Sequence, residues 1–292
     1  AVCGIIENIL NIVILSYHGF QDTNNILLTS LSFDFFIGSL TEAFYRLTYI
    51  MLAYYPESRL FLLCRQYLLI WNGLSFSLSQ LLAAVIAVER LAAVWFPFLV
   101  SLVFTPRRVM ILIVLLHVIT FLFFSPGFLT YLGIWENVHI NNATFNILWV
   151  KGLSDANIHA IAVYLLLFGN TISSTVPLLI ILVSSVLTVI KMHIITREMK
   201  ILSPSAVRSK KLKILRATKM LLVVCFFSFL VCIVSFILDT SPLLFGLQKY
   251  FHVAHMEISH IFYQFDTVIN FIIYVSMSSK FVNTYKKLFC TC

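Results

Sequence analysis

The stretch Leu112-Ile113-Val114-Leu115-Leu116-His117-Val118-Ile119-Thr120-Phe121-Leu122-Phe123-Phe124 decides the fold class. It is apolar almost without interruption. It does not alternate between apolar and polar positions, as a lipid-facing strand of a closed barrel must. Crossing a bilayer takes roughly 20 mostly apolar residues in helical form, because hydrocarbon cannot pair open backbone groups. Outward from this stretch the chain holds seven such blocks, at about 2–17, 24–50, 61–88, 109–132, 157–190, 217–239 and 250–277. Composition agrees: 60% of the 292 residues are hydrophobic and 11% charged, where soluble domains carry roughly a quarter charged. The expected fold is an all-α membrane protein, a seven-transmembrane helix bundle forming one domain over 1–292.

Between the blocks there is no room for a soluble domain. The longest stretches, 133–156 and 191–216, are too short to enclose a core. No internal repeat appears, so the inverted repeats of transporters find no support. The segment 191–216 is expected to extend the fifth and sixth helices, with a break at Ser203-Pro204. After the seventh block, Phe281, Tyr285, Leu288 and Phe289 share one face and lysines the other. This predicts a short amphipathic helix over 278–290, lying along the membrane surface. The first block is short and begins at Ala1, so the outer part of its helix is expected to lie beyond this sequence.

Lysine and arginine orient the bundle. The segments after the third, fifth and seventh blocks hold 15 of the 20 basic residues and share their side with three acids, Asp22, Glu89 and Glu198. That side is expected to be cytoplasmic, with the start of the chain outside and its end inside. The one N-x-S/T sequon, at Asn142, then falls outside and is a glycosylation candidate. The pI near 9.2 reads as topology and attraction to lipid headgroups, with no need for nucleic acid. Cys225 and Cys232 read as buried apolar residues. Cys290 and Cys292, beside Lys286 and Lys287, suit palmitoylation, or remain free thiols.

Ionisable groups within the bilayer are costly, at least about 2.5–3.5 kcal/mol each on insertion scales, and are functional candidates. Asp34 lies mid-way along the second block and Asp266 mid-way along the seventh, with Asn270 a turn further in. Glu7 and Asn8 are in the first, and Glu89-Arg90 closes the third. Ser79, about three turns outward of Arg90, is level with Asp34.

Val88-Glu89-Arg90-Leu91-Ala92-Ala93-Val94-Trp95-Phe96-Pro97-Phe98 resembles the acid-Arg-Tyr motif and following proline of rhodopsin-like G-protein-coupled receptors. Asn270-Phe271-Ile272-Ile273-Tyr274 resembles their Asn-Pro-x-x-Tyr motif. Asn8, Asp34, Pro177 and Phe229-Leu230-Val231-Cys232 match those of helices 1, 2, 5 and 6. Within that class, Asn270-Phe271, Thr218-Lys219-Met220-Leu221 and Ser278-Ser279-Lys280-Phe281 look most like invertebrate FMRFamide-type neuropeptide receptors. The chain departs from the pattern at Leu91, Ser185, Ile233 and Ser235, and Cys64 lacks its usual disulfide partner in the following outer loop.

The resemblance implies a plasma-membrane receptor that is not an enzyme, taking an extracellular peptide and acting on a heterotrimeric G protein. The alternatives are a chemosensory receptor for small molecules and, further off, a transporter or a non-coupling decoy. Glu89, Arg90, Pro97, Phe98, Asn270 and Tyr274 would form the switch, against a reading of Arg90 as a snorkelling inside-positive residue. No acid lies between Arg208 and Leu238, so the helix 6 partner of Arg90 is missing and a weakly locked resting state is expected.

Asn8, Asp34, Ser79, Asp266 and Asn270 would form a polar network at the level where the family holds sodium. With two carboxylates there, either a cation is held more tightly or one acid keeps its proton. A hydrogen-bonded network without an ion is the plainer reading. By matched position Asn72, Phe76, Phe236, Thr240, His260, Tyr263 and Gln264 would line the ligand pocket. Asn72 in place of an aspartate argues against an amine, and Gln264 in place of a lysine excludes a retinal Schiff base. Glu42 and Arg46 would pair with each other or read the end of a peptide. The spacing of His252, His255, Glu257 and His260 spreads them round a helix and argues against a metal site. Ser203, Ser205 and Ser209 are kinase candidates beside basic residues.

Overall fold

The computed structural model describes residues 1–130, 134–140, 143–149, 175–202, 218–234, 237, 251–277 and 279–289. The helices are α1 (Val2–Tyr17), α2 (Thr23–Tyr54), α3 (Arg59–Trp95), α4 (Pro97–Val103), α5 (Pro106–Thr130) and α6 (Val176–Leu202). They continue with α7 (Thr218–Val234), α8 (Phe251–Met277) and α9 (Ser279–Phe289). Each of the seven apolar blocks is thus helical where it is described. α2 and α3 run beyond the apolar blocks that announced them, and polar caps mark where each begins. Asp22 accepts from the Asn24 amide at 3.1 Å and Ser58 from the Phe61 amide at 3.5 Å, pairing donors a helix start leaves open. Gly19, at φ +80°, supplies the left-handed turn between α1 and α2.

Among the described residues, one element lies outside the all-α expectation. The outer loop after α5 carries an antiparallel hairpin, β1 (Ile134–Ile140) against β2 (Ala143–Trp149), with Ile140 opposite Ala143. Hydrophobic blocks of membrane length carry no signal for so short a ribbon, whose backbone pairs outside the hydrocarbon.

α3 is the central post. It packs against α2, α5 and α6, while α1 packs against α2, α8 and α9. The apolar windows of α2 and α3 are 61% and 67% buried inside the protein, those of α5 and α6 only 11% and 22%. The last two therefore spend their apolar surface on lipid. With lipid as apolar as leucine, the bundle is held by close packing and internal hydrogen bonds. The contact faces accordingly carry small residues: Ala83, Ala84 and Ala87 of α3 are buried, and the Cys225 thiol of α7 lies 3.8 Å from the Ala83 carbonyl oxygen. At the inner end Phe281 of α9 is buried against the rings of Phe271 and Tyr274, at 6.0 and 5.7 Å. That contact docks the amphipathic helix on the bundle.

Candidate functional site

Three polar clusters run down the bundle from the outer to the inner end. The outer one is built on α2 and α3. Glu42, 3% exposed, accepts from Arg46 Nε at 2.7 Å with one oxygen and from Asn72 Nδ2 at 2.6 Å with the other. Arg46 is one turn on in α2, with a side chain 41% exposed. Arg65 of α3 lies over the rings of Tyr45 and Tyr49, 5.6 Å from each centroid. The sequence pairs Glu42 with Arg46; what it does not show is Asn72, which commits its amide to the same carboxylate.

Below this cluster Tyr263 of α8 is buried among aromatic rings, 5.9 Å from Phe35 and 5.3 Å from Phe76. Its hydroxyl rests against Gly38, where a methyl group would come within 2.1 Å of it. Of the matched pocket residues, Asn72, Phe76 and Tyr263 are brought to one region between α2, α3 and α8. Gln264 follows Tyr263 and its amide is buried without a hydrogen-bond partner among the described residues. Phe236 and Thr240 lie outside the described residues. So do the side chains of His260, His252, His255 and Glu257.

At mid-membrane the residues expected to form one constellation divide into separate groups. The Asp34 carboxylate faces α5, where His117 Nε2 is 3.0 Å from its Oδ1, and His117 Nδ1 is anchored to the Ile113 carbonyl at 2.8 Å. Asp266 faces α7 instead: Ser228 donates to its Oδ2 at 3.4 Å, and Gln80 of α3 lies beside it. The Gln80 oxygen accepts from the Cys232 thiol at 2.8 Å, which ties α3 to α7. Ser79 donates back to the Phe76 carbonyl, Asn270 to the Asp266 carbonyl at 3.1 Å, and Asn8 to the Gly4 and Thr267 carbonyls. The two carboxylates share no hydrogen bond among the described residues. Helix rotation explains this, since Asp34 points to the α2–α5 contact and Asp266 to the α7–α8 contact.

A cation at this level would need hard oxygen donors. Asp34 Oδ2, Asp266 Oδ1, Asn270 Oδ1 and Asn8 Oδ1 are all buried without a hydrogen-bond partner among the described residues, so the donor chemistry fits sodium. Asp34 or Asp266, which face different helix contacts, would be its charged holder.

The inner cluster centres on Arg90, 5% exposed, and Glu89, 2% exposed. The guanidinium is paired with the Glu89 carboxylate and also donates to the side-chain oxygen of Asn24, in the first turn of α2. A cavity of about 190 Å³ opens beside Asn24, lined also by His18, Asp22, Tyr274 and Phe281. Tyr274 is buried there, with its hydroxyl unpaired among the described residues. Pro97 opens α4 at its first position, where a missing N–H costs nothing, and thrusts Phe98 out to 91% exposure. The helix 1 end is tied to α9 by His18 to the Thr284 hydroxyl at 2.8 Å and by Lys287 to the Tyr17 hydroxyl at 2.8 Å.

Among the described cysteines Cys3, Cys64, Cys225 and Cys232 are free. Asn142, Cys290, Cys292, Ser203, Ser205 and Ser209 lie outside the described residues.

Sequence reasoning missed His117, Gln80 and Asn24. His117 did leave a signal, as the single titratable side chain in its apolar run. The other two are ordinary polar residues until the helices are assembled.

Comparison with known proteins adds one match. The pattern of the family "7 transmembrane receptor (rhodopsin family)" covers residues 7–277. No curated protein matches the chain.

Proposed function

The chain belongs to the rhodopsin family of seven-transmembrane receptors, and we propose that within it this receptor takes an extracellular peptide as its ligand. As a member of that family it is a multi-pass membrane receptor and not an enzyme; an extracellular ligand signals through it to a G protein. The observation that carries the peptide reading is the outer cluster. Glu42, Arg46 and Asn72 put a buried carboxylate, a half-exposed guanidinium and an amide at one spot. The single charge of a peptide terminus, or the amide of an amidated one, can be read by such a set of charged and amide groups, whereas small odorants are held by apolar walls and few polar groups. Phe76, Tyr263 and Gln264, with Phe236, Thr240 and His260, would continue the pocket inward. The FMRFamide-type assignment is supported by Asn270-Phe271 and the motifs flanking it.

The mechanism follows from the three clusters. A ligand contacting Glu42 or Arg46 competes with the Asn72 contact and so changes how α2 meets α3. That shift reaches Tyr263, packed on Gly38 of α2, and through α8 the Asp266–Ser228–Gln80–Cys232 group that holds α7 to α3. Bound sodium would supply positive charge to Asp34 or Asp266 in the resting bundle. Loosening α7 opens the inner cavity beside Asn24, where Glu89, Arg90, Pro97, Phe98, Asn270 and Tyr274 would meet the G protein. A ligand acts here only by its differential affinity for the two arrangements.

The test is a cell assay of G-protein activation against amidated peptides and small odorants, with surface expression matched. A peptide response weakened in Glu42→Gln and Arg46→Gln supports the reading. A response to odorants alone, indifferent to both substitutions, moves the function to chemosensation.

A further inference from the structure

We infer that Asn24 is the residue that holds Arg90 in the resting receptor, in the place of an acid on the sixth membrane helix. The inference rests on the coupling role of Arg90 proposed above, and it adds a positioning residue that no motif marks. Three observations carry it.

First, a buried guanidinium needs acceptors for its five donors. Glu89 takes part of them from the same helix, and Asn24 is the acceptor offered by another helix among the described residues. Second, the sequence between Arg208 and Leu238 contains no Asp or Glu, so the sixth membrane helix has no carboxylate to offer. Third, Asn24 is itself held in place. Its backbone amide donates to the Asp22 cap at 3.1 Å, and the next residue, Asn25, donates to the Gly19 carbonyl at 3.3 Å. The first turn of α2 is thereby fixed against the end of α1, and its amide oxygen is presented to Arg90.

The consequence differs from a lock on the moving helix. A contact between α2 and α3 does not itself restrain α7. It keeps the guanidinium turned toward α2 and engaged with Asn24, so that it is not free to meet an entering G-protein segment. Separate contacts hold α7: Cys232 to Gln80, and Ser228 to Asp266. Rest is thus maintained by two independent devices, one positioning Arg90 and one holding the helix.

Two measurements test this. In the first, membranes with matched amounts of receptor are assayed for ligand-independent guanine-nucleotide exchange on G protein. Hydrogen bonds to charged groups contribute enough that losing one shifts a two-state ratio by about tenfold. Asn24→Ala is therefore expected to raise basal exchange by up to about tenfold. Asn24→Asp, which keeps the acceptor, is expected to stay at or below wild type. A purely structural role would not produce that split.

In the second, wild type, Asn24→Ala, Arg90→Ala and the double variant are purified into nanodiscs and melted. The double variant is expected to melt no lower than the worse single one, because both remove the same contact. Additive melting shifts overturn the proposal, as does unchanged basal exchange in Asn24→Ala when the wild type can be activated. If no variant supports exchange, the coupling reading fails and the melting cycle alone decides whether Asn24 holds Arg90.

Discussion

Replacing Gly38 by alanine should destabilise the receptor, while the same change at Gly73 should not. A methyl group at Gly38 would sit 2.1 Å from the Tyr263 hydroxyl and 2.9 and 3.0 Å from two ring carbons. Non-bonded heavy atoms prefer about 3.5–4.0 Å, so the ring must retreat by about 1 Å or more. It has nowhere to go, being 3% exposed and flanked by Phe35 and Phe76. Overpacking of this kind costs about 1–3 kcal/mol, and a buried aromatic ring pinned on two sides belongs at the upper end. The gain from replacing a helical glycine is about 1 kcal/mol, which leaves a net loss of about 2 kcal/mol. At Gly73 the nearest atom is the edge of the half-buried Phe124 ring at 3.3 Å, which yields by a few tenths of an ångström. There the helix-propensity gain survives and stability holds or rises slightly. Thermal unfolding of the two variants in nanodiscs measures the difference. Equal melting temperatures would refute the packing of Tyr263 against α2, and with it the route by which an outer ligand reaches the mid-membrane cluster.

Further expectations follow from the other clusters. Glu42→Ala should cost about 1–3 kcal/mol because the buried Asn72 amide loses its acceptor. Asn72→Ala should add little to it, so additive melting shifts would dismiss the contact. Cys232→Ala should raise basal nucleotide exchange by freeing α7 from Gln80. Cys232→Ser, which keeps a donor, should stay near wild type; equal behaviour of the two would remove the contact from the account. Cys64 has no disulfide partner among the described residues. A membrane-impermeant maleimide should label it on intact cells without prior reduction, and labelling that requires a reductant would contradict this.

The membrane helices were legible because a bilayer imposes a minimum length and an apolar surface on each, and most blocks carry both; the first is shorter. The fine structure of the site was legible only where partners share a helix. Glu42 and Arg46 are one turn apart, so their pairing can be read from spacing. Asp34 and Asp266 share a depth, which suggested one pocket, but depth says nothing of the direction each faces. His117 and Ser228, on two further helices, draw them apart. The partner of Arg90 was sought on the sixth helix and found on α2, because the crossing of α2 and α3 brings Asn24 to it across 66 positions of sequence. The β1–β2 hairpin escaped because its residues are short, mixed in polarity and bounded by no membrane.

The most direct test of the account is guanine-nucleotide exchange by a purified heterotrimeric G protein with the receptor in nanodiscs. Wild type and Arg90→Ala would be compared with and without the most active peptide from the cell assay. The account predicts that the wild type accelerates exchange and that the peptide increases it. Arg90→Ala, folded as judged by its melting curve, should do neither. Exchange by Arg90→Ala equal to wild type, or none from a well-folded wild type, would contradict it.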